Sequence, residues 1–160
     1  MLTVKKLCIL VAFLFLAGCQ DPVATLGEQA PELAVLDASG QQVKLADLRG
    51  KPVVVEFWNS KCGPCLMMLQ ALQKYQDENP GKIQFVFVGI PPEPDDMQAF
   101  QKKLQIDLPL QLDQLGISQE RYQVQVTPST FVIDADGVLR KRHFGYRPSL
   151  NLDELVTVNH

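Results

Sequence analysis

The chain has 160 residues, which favours a single packed domain, and its 46% hydrophobic and 21% charged residues exclude a mainly disordered or multi-spanning chain. Its formal net charge is −3, which argues against a nucleic-acid partner because duplex binding needs a basic face. Function must therefore come from particular sites within one domain.

The first 18 residues have the three-part layout of a secretory signal. Lys5 and Lys6 precede an apolar run over residues 7–17, which is too short to span a bilayer core. The segment Leu16-Ala17-Gly18-Cys19 resembles the bacterial lipobox, in which the cysteine is lipidated and becomes the first mature residue. An unlipidated secretion signal or membrane anchor that happens to contain a cysteine is the alternative interpretation.

Lipidation of Cys19 divides the chain into three parts. We predict a lipoprotein signal peptide over residues 1–18, a lipidated tether over 19–30 and one folded domain over 31–160. A multiply acylated cysteine would hold this domain at a membrane of the bacterial envelope, facing the periplasm, where disulfides persist. Gln20 follows Cys19, whereas an aspartate there favours inner-membrane retention in enteric-type bacteria, so we expect the outer membrane.

The first half of the domain shows the patterning of a hairpin, a strand and a helix. Residues 33–36 and 42–45 flank the turn Asp37-Ala38-Ser39-Gly40 and predict an N-terminal hairpin. The near-continuous β-branched and aromatic run over residues 53–58 predicts a strand buried on both faces, as in sheets covered by helices. A helix is predicted to begin at the C-x-x-C that follows and to stop at residues 79–81.

The second half continues the alternation of strands and helices. A buried strand is predicted over residues 83–90 and a helix from about Asp95. Residues 129–133 and 138–143 flank a Gly-containing turn and predict an antiparallel hairpin, and a short helix is predicted from Asn151. The pattern therefore indicates an α/β fold.

Cys62-Gly63-Pro64-Cys65 contains the only cysteines after Cys19. A disulfide stabilises a fold more when it closes a long loop, so a two-residue spacer indicates redox chemistry instead. The second thiol can then resolve a mixed disulfide that the first one forms. The helix start favours the thiolate of Cys62 through the helix dipole, and Pro64 suits the first turn because its missing N–H is not needed there.

A metal site is the other chemical interpretation of a C-x-x-C. Zinc would need two further ligands, and the mature chain offers His143 and His160, which are distant in sequence from the motif. We therefore expect no metal and no cofactor beyond the redox-active disulfide, although copper binding by the thiols alone stays open. Met67 and Met68 are expected to fill the core.

Two further features stand near the motif. Glu56 interrupts the apolar strand, where a buried carboxylate is unfavourable unless it is protonated or paired. We expect a carboxyl with a raised pKa that accepts the proton of Cys65, and a solvent-facing glutamate on an edge strand is the alternative. Thr127-Pro128 stands directly before a predicted strand, and the ordinary preference of X-Pro bonds there is trans.

The run over residues 53–65, with Trp58, Gly63 and Pro64 inside it, resembles the active-site strand and motif of thioredoxins. Glu56 stands where thioredoxins carry a buried acid. The resemblance implies a thioredoxin-like α/β fold, with a central mixed sheet flanked by helices.

Three flanking regions extend the resemblance to the TlpA/ResA-like branch of the thioredoxin family. Residues 27–31 and 45–52 are similar to the N-terminal segment of that branch, and residues 126–137 are similar to its proline loop and hairpin. The resemblance implies an N-terminal β-hairpin extension and a cis Pro128 packed against the disulfide.

The resemblance also implies an activity, with the residues that carry it. It implies an envelope thiol-disulfide oxidoreductase that reduces the disulfides of exported proteins through Cys62 and Cys65. The backbone of Thr127 and Pro128 would pair with a bound substrate segment. A membrane electron-donor thiol protein would restore the dithiol, and a lipid on Cys19 would hold the protein at the membrane.

Other functions stay open at this point. A disulfide oxidase or isomerase uses the same motif at a higher reduction potential. A non-enzymatic, copper-binding lipoprotein would use the two thiols without turnover. A peroxidase is disfavoured because Asn59-Ser60-Lys61-Cys62 does not reproduce the Pro-x-x-x-Thr-x-x-Cys setting of peroxiredoxins.

Overall fold

A computed structural model describes residues 21–37 and 39–158. In this part of the chain the strands form one seven-stranded sheet, with the spatial order β2-β1-β5-β4-β3-β6-β7. The strands are β1 (Val35–Leu36), β2 (Gln42–Val43), β3 (Val53–Trp58), β4 (Gln84–Gly89), β5 (Leu110–Leu112), β6 (Ser129–Ile133) and β7 (Leu139–Phe144). The helices are α1 (Gly63–Glu78), α2 (Met97–Leu104), α3 (Ile117–Arg121) and α4 (Leu152–Val156), and Leu45–Leu48 forms a 3-10 helix.

Strand β3 lies in the interior of this sheet, between β4 and β6. It pairs in parallel with β4 and antiparallel with β6, so the sheet is mixed, as predicted. All six of its residues are buried, in keeping with its run of β-branched and aromatic side chains. Because β3 and β4 are parallel, their carboxyl ends lie at the same edge of the sheet, and the chain enters the C-x-x-C from that edge.

One side of the sheet, which we call the aromatic face, packs alternate residues of β3 against rings from other segments. The ring of Phe131 lies 5.7 Å from that of Phe57 and 4.9 Å from that of Tyr122. The buried Tyr122 hydroxyl donates a hydrogen bond of 2.8 Å to the carbonyl of Pro31. This face therefore buries large apolar area, and its tyrosine hydroxyl is hydrogen-bonded.

The other side, which we call the helix face, takes the remaining β3 residues, Val54, Glu56 and Trp58. It is covered mainly by α1, with contributions from the ends of α2 and from α4. Four residues of α1 are fully buried here: Cys65, Met68, Leu69 and Leu72. Met67 points away from the core with 44% of its surface exposed, so the expectation that both adjacent methionines fill the core is wrong for Met67.

Helix α1 begins and ends where the sequence predicts. Cys62 is the N-cap and Pro64 occupies the first turn, where its missing N–H leaves no partner unsatisfied. Asn79 is the C-cap, and Pro80 and Gly81 prevent continuation.

Other predictions hold with shorter elements or were incomplete. The N-terminal hairpin is present, but each strand has two residues, and Leu45 begins the 3-10 helix rather than extending β2. Strand β5 and helix α3 were not predicted, because three and five residues are too short for a periodic pattern. The predicted signal peptide and Cys19 lie outside the described residues. No helix within those residues is long and apolar enough to cross a membrane.

Candidate active site

Cys62 and Cys65 form a disulfide at the junction of β3 and α1, with their Cα atoms 5.2 Å apart. Cys62 is partly exposed, whereas Cys65 is fully buried under the first turn of α1. The backbone N–H of Cys65 donates a hydrogen bond of 3.2 Å to the sulfur of Cys62. The helix start therefore directs an N–H and the positive end of its dipole at the accessible sulfur, which favours negative charge there.

The proline loop lies beside that sulfur. The Thr127–Pro128 bond is cis, as the family resemblance implies and contrary to the ordinary preference for trans. The carbonyl oxygen of Thr127 lies 3.4 Å from the sulfur of Cys62; since a disulfide sulfur carries no proton, this is a close approach rather than a hydrogen bond. Asn59 holds the loop in place by donating a hydrogen bond of 3.1 Å to the Thr127 hydroxyl.

Glu56 is fully buried on the helix face, the side of the sheet that Cys65 also enters. Desolvation raises the pKa of its carboxyl to about 8, although a hydrogen bond from Thr130 favours the charged form. That bond, from the Thr130 hydroxyl to Oε2, is 2.6 Å long. Among the residues that the structure describes, the buried Oε1 has no hydrogen-bond partner. The alternative of a solvent-facing glutamate on an edge strand is wrong, because β3 lies between β4 and β6.

Trp58 lies in the same buried apolar cluster as Cys65 and is not exposed at the surface of the site. Its ring is buried and stacks on Phe100, with 5.3 Å between centroids. Gly89 lets the indole approach, since a Cβ there would lie 3.1 Å from the ring and 2.9 Å from the Leu112 side chain. Gly63, by contrast, is exposed between the cysteines, and Pro64 is exposed next to it.

The sequence analysis missed a second loop at this site. The Ser60 hydroxyl donates a hydrogen bond of 2.8 Å to the carbonyl of Pro92, and the Pro91–Pro92 bond is cis. The prolines at positions 91, 92 and 94 indicate a turn, but nothing in the sequence indicates that the Pro91–Pro92 bond is cis or that this loop contacts the residues before Cys62. Lys61, which precedes the motif, is exposed.

Of the two histidines, the structure describes His143 alone, and it forms no metal-binding cluster with the cysteines. His143 lies in β7 opposite Thr130, and His160 is outside the described residues. Across the residues that the structure describes, no group of three or more histidine, cysteine, aspartate or glutamate side chains could hold a metal ion.

The fold and the cysteine pair define a thioredoxin-like thiol-disulfide oxidoreductase. The chain belongs to the AhpC/TSA family, whose family model matches residues 26–142. It is 31% identical over 136 residues to the thioredoxin-like protein YneN of Bacillus subtilis, an alignment that covers 83% of this chain and 79% of that protein.

Two further relatives carry the same class of name. The thiol-disulfide oxidoreductase ResA of Bacillus thuringiensis is 26% identical over 156 residues, with 94% of this chain and 88% of that protein covered. A Chlorobium tepidum crystal structure, described as a candidate thiol:disulfide interchange protein DsbE, superposes with a TM-score of 0.71 at 29% identity, over 79% of this chain and 89% of that one. The resemblance to thioredoxin-family oxidoreductases of the ResA type is thereby confirmed.

Proposed function

We propose that this protein reduces the disulfides of exported proteins at a bacterial envelope, through a relay between Cys62 and Cys65. The observation that carries the proposal is the asymmetry of the pair, since Cys62 is partly exposed at the helix start and Cys65 is fully buried, on the side of the sheet that also buries the Glu56 carboxyl. Relatives named as thiol-disulfide oxidoreductases support the reaction class.

The first step uses the exposed cysteine. The Cys62 thiolate attacks one sulfur of a substrate disulfide, so that one S–S bond breaks and a mixed disulfide forms. The departing substrate sulfur leaves as a thiolate and takes a proton from solvent. The backbone of Thr127 and Pro128, beside the Cys62 sulfur, pairs with the substrate segment and orients the disulfide for attack.

The second step uses the buried cysteine. The Cys65 thiol loses its proton to Glu56, directly or through one water, and the thiolate attacks Cys62. The mixed disulfide breaks as the Cys62–Cys65 disulfide forms, and the second substrate sulfur leaves as a thiolate that takes up the proton held by Glu56, directly or through water. The substrate thus gains two electrons and two protons. Burial raises the pKa of Glu56 to about 8, which suits a group that must take a proton from a thiol near neutral pH.

The donor and the location complete the proposal. A reduced thiol protein of the membrane returns two electrons to the Cys62–Cys65 disulfide, so no further cofactor is needed. Lipidation of Cys19, after removal of residues 1–18, would hold the domain in the periplasm beside a membrane. Because Gln20 rather than an aspartate follows Cys19, we expect that membrane to be the outer one. The domain would stay close to the bilayer, because Ala24, five residues after Cys19, is already buried against the domain and donates its N–H to the carbonyl of Arg121 at 2.8 Å.

The experiment is the reduction of a disulfide-bonded protein substrate by the full-length chain in detergent, with dithiothreitol as the electron source. We expect Cys62→Ser to abolish turnover, by a factor on the order of 10³ or more, because it removes the nucleophile. Cys65→Ser should instead accumulate a mixed disulfide with the substrate, visible on a non-reducing gel.

Other outcomes would favour other functions. Net disulfide formation in a reduced substrate would favour an oxidase, and stoichiometric copper uptake without turnover would favour a copper-binding lipoprotein. Peroxide consumption at a higher rate than disulfide reduction would favour a peroxidase. Each of these results would contradict the proposed reductase.

A further inference from the structure

We propose that the open outer edge of β7, with the groove beside it, binds an extended acidic segment of the protein substrate. The inference rests on the proposed function and adds a substrate class to it. The groove has a volume of about 540 Å³, and its lining includes Leu26, Leu150, Glu154 and Leu155.

Strand β7 is the last strand of the sheet, so one of its edges is exposed. The beginning of that edge is already occupied by the chain itself. The N–H of Gly27 donates to the carbonyl of Leu139, and the N–H of Leu139 donates to the carbonyl of Glu28, both at 2.9 Å. The protein thus already adds an extended segment to the first part of this edge, and the rest can accept another.

The pairing with β6 shows which backbone groups remain open. The N–H of Gly145 donates to the carbonyl of Pro128, directly opposite it, at 2.8 Å. Hydrogen bonding alternates along an antiparallel pair, so Lys141 and His143 bond to β6, whereas Arg142 and Phe144 direct their N–H and C=O groups outward. In the described part of the chain neither residue makes another backbone hydrogen bond. An incoming strand therefore meets two donors and two acceptors.

The charge of the groove selects the incoming strand. Lys141, Arg142 and Arg147 line it together with His143, and Glu154 is the only carboxylate of the lining. The ammonium of Lys141 donates to the backbone carbonyl of Glu154, at 2.8 Å, rather than to its carboxylate. The chain as a whole has a net charge of −3, so this concentration of cations is local. Acidic side chains complement it, and basic ones are repelled.

The end of β7 connects the groove to the proline loop of the candidate active site. His143 also lines a smaller pocket of about 180 Å³, formed with residues 144–147, which leads towards Gly145. Gly145 is bonded to Pro128, and the loop of Pro128 borders the Cys62 sulfur. A segment docked along β7 would thus place a neighbouring disulfide at Cys62. A concave groove with open backbone groups fits a peptide strand better than a bilayer surface.

The test measures binding without any redox reaction. The full-length chain in detergent is titrated into two fluorescently labelled peptides that contain no cysteine, one rich in Asp and Glu and one in which these are Lys. We expect anisotropy to show the acidic peptide bound roughly tenfold more tightly than the basic one. Arg142→Glu combined with Arg147→Glu should reduce this preference to within about twofold. Lys102→Glu with Lys103→Glu makes the same charge change on exposed residues of α2, and should leave the preference intact.

A backbone variant separates strand addition from charge alone. Phe144→Pro removes one outward N–H without breaking the ladder to β6, since proline is tolerated where the N–H faces solvent at an edge. We expect it to weaken binding of the acidic peptide severalfold, whereas Phe144→Ala should not. Reduction of a small-molecule disulfide should be unchanged in every variant, which also shows that each is folded.

The outcomes distinguish this inference from the proposed function. If acidic-peptide binding follows these variants while the wild-type chain reduces no disulfide, the docking edge stands and the reductase proposal fails. Equal binding of both peptides by an active wild-type chain would overturn the docking edge alone. Equal peptide binding, together with a preference for phosphatidylglycerol over phosphatidylcholine vesicles that the double substitution removes, would overturn it in favour of a membrane surface.

Discussion

The two faces of β3 are built from the same strand and buried to the same extent, but they differ in what they bury. The aromatic face takes Val53, Val55 and Phe57, and its tyrosine hydroxyl has a partner. The helix face takes Val54, Glu56 and Trp58, and within residues 21–37 and 39–158 neither Oε1 of Glu56 nor Nε1 of Trp58 has a hydrogen-bond partner.

This difference separates stability from chemistry. Burial of rings on the aromatic face lowers the free energy of the fold, and the Tyr122 hydroxyl buried among those rings is hydrogen-bonded. On the helix face a carboxyl is kept away from water, on the side of the sheet where Cys65 is also buried, and this burial raises the free energy of its charged form. Unsatisfied polar groups are uncommon in folded proteins, and they cluster at functional sites.

The largest expected effect is on the pH dependence of stability, and it belongs to the helix face. The pKa of Glu56 is raised from 4.5 in the unfolded chain to about 8 in the fold, so the fold binds this proton more tightly. Its contribution is therefore fully present below about pH 4.5 and is lost as the pH rises to about 8, by up to roughly 5 kcal/mol. Glu56→Gln removes that dependence, and urea unfolding of the oxidised protein at about pH 5 and about pH 9 measures it. Stability curves of the two proteins that stay parallel across this range would contradict the account.

The next effect belongs to the aromatic face. Phe131→Ala removes a ring that contacts both Phe57 and Tyr122, and we expect a loss of about 3–5 kcal/mol in the free energy of unfolding. The reduction potential of the cysteine pair should change little, because no group near the sulfurs is altered. Phe144→Ala is the matched control, since that ring is 51% exposed and should cost under about 1 kcal/mol. A shift in potential with little loss of stability would reverse the assignment of the two faces.

A smaller effect tests the partner of Glu56. Thr130→Val removes the hydroxyl that donates to Oε2, so we expect a loss of about 1–3 kcal/mol in stability and a further rise in the pKa of Glu56. The pH midpoint of disulfide reduction should rise accordingly, and Thr130→Ser should restore it. A drop in stability with no movement of the midpoint would make Thr130 a packing residue only.

The smallest effect is expected at the surface of the site. Lys61 is exposed and makes no ion pair among the described residues, so Lys61→Ala should change stability by less than about 0.5 kcal/mol. Turnover of a small-molecule disulfide should stay within about twofold of the wild-type value. A large loss would show that the lysine stabilises the Cys62 thiolate.

The long elements of the fold could be predicted because their hydrophobic patterns are continuous. The predicted bounds of β3 and β6 are those observed, and α1 begins and stops at its capping residues. Short elements contain too few residues to show a hydrophobic periodicity, so β5 and α3 were not predicted. The sequence places Met67 and Met68 side by side but does not indicate which faces the core, since that depends on how α1 sits on the sheet.

At the site, the sequence predicted the residue types but not their contacts. Glu56 could be recognised because a carboxyl in an apolar strand conflicts with its surroundings. Its partner Thr130 is 74 residues away and reaches it only through the register of β3 with β6. The contact of Ser60 with Pro92 depends in the same way on tertiary structure. The roles of the site residues stay predictions until the variants are measured.

The reduction potential of the Cys62–Cys65 pair tests the central claim most directly. Equilibration of the full-length chain with dithiothreitol or glutathione buffers, followed by thiol alkylation, gives the fraction reduced at each potential. A value near or below about −250 mV is expected for a reductant of exported proteins, whereas a value above about −180 mV would contradict the account and favour an oxidase or isomerase.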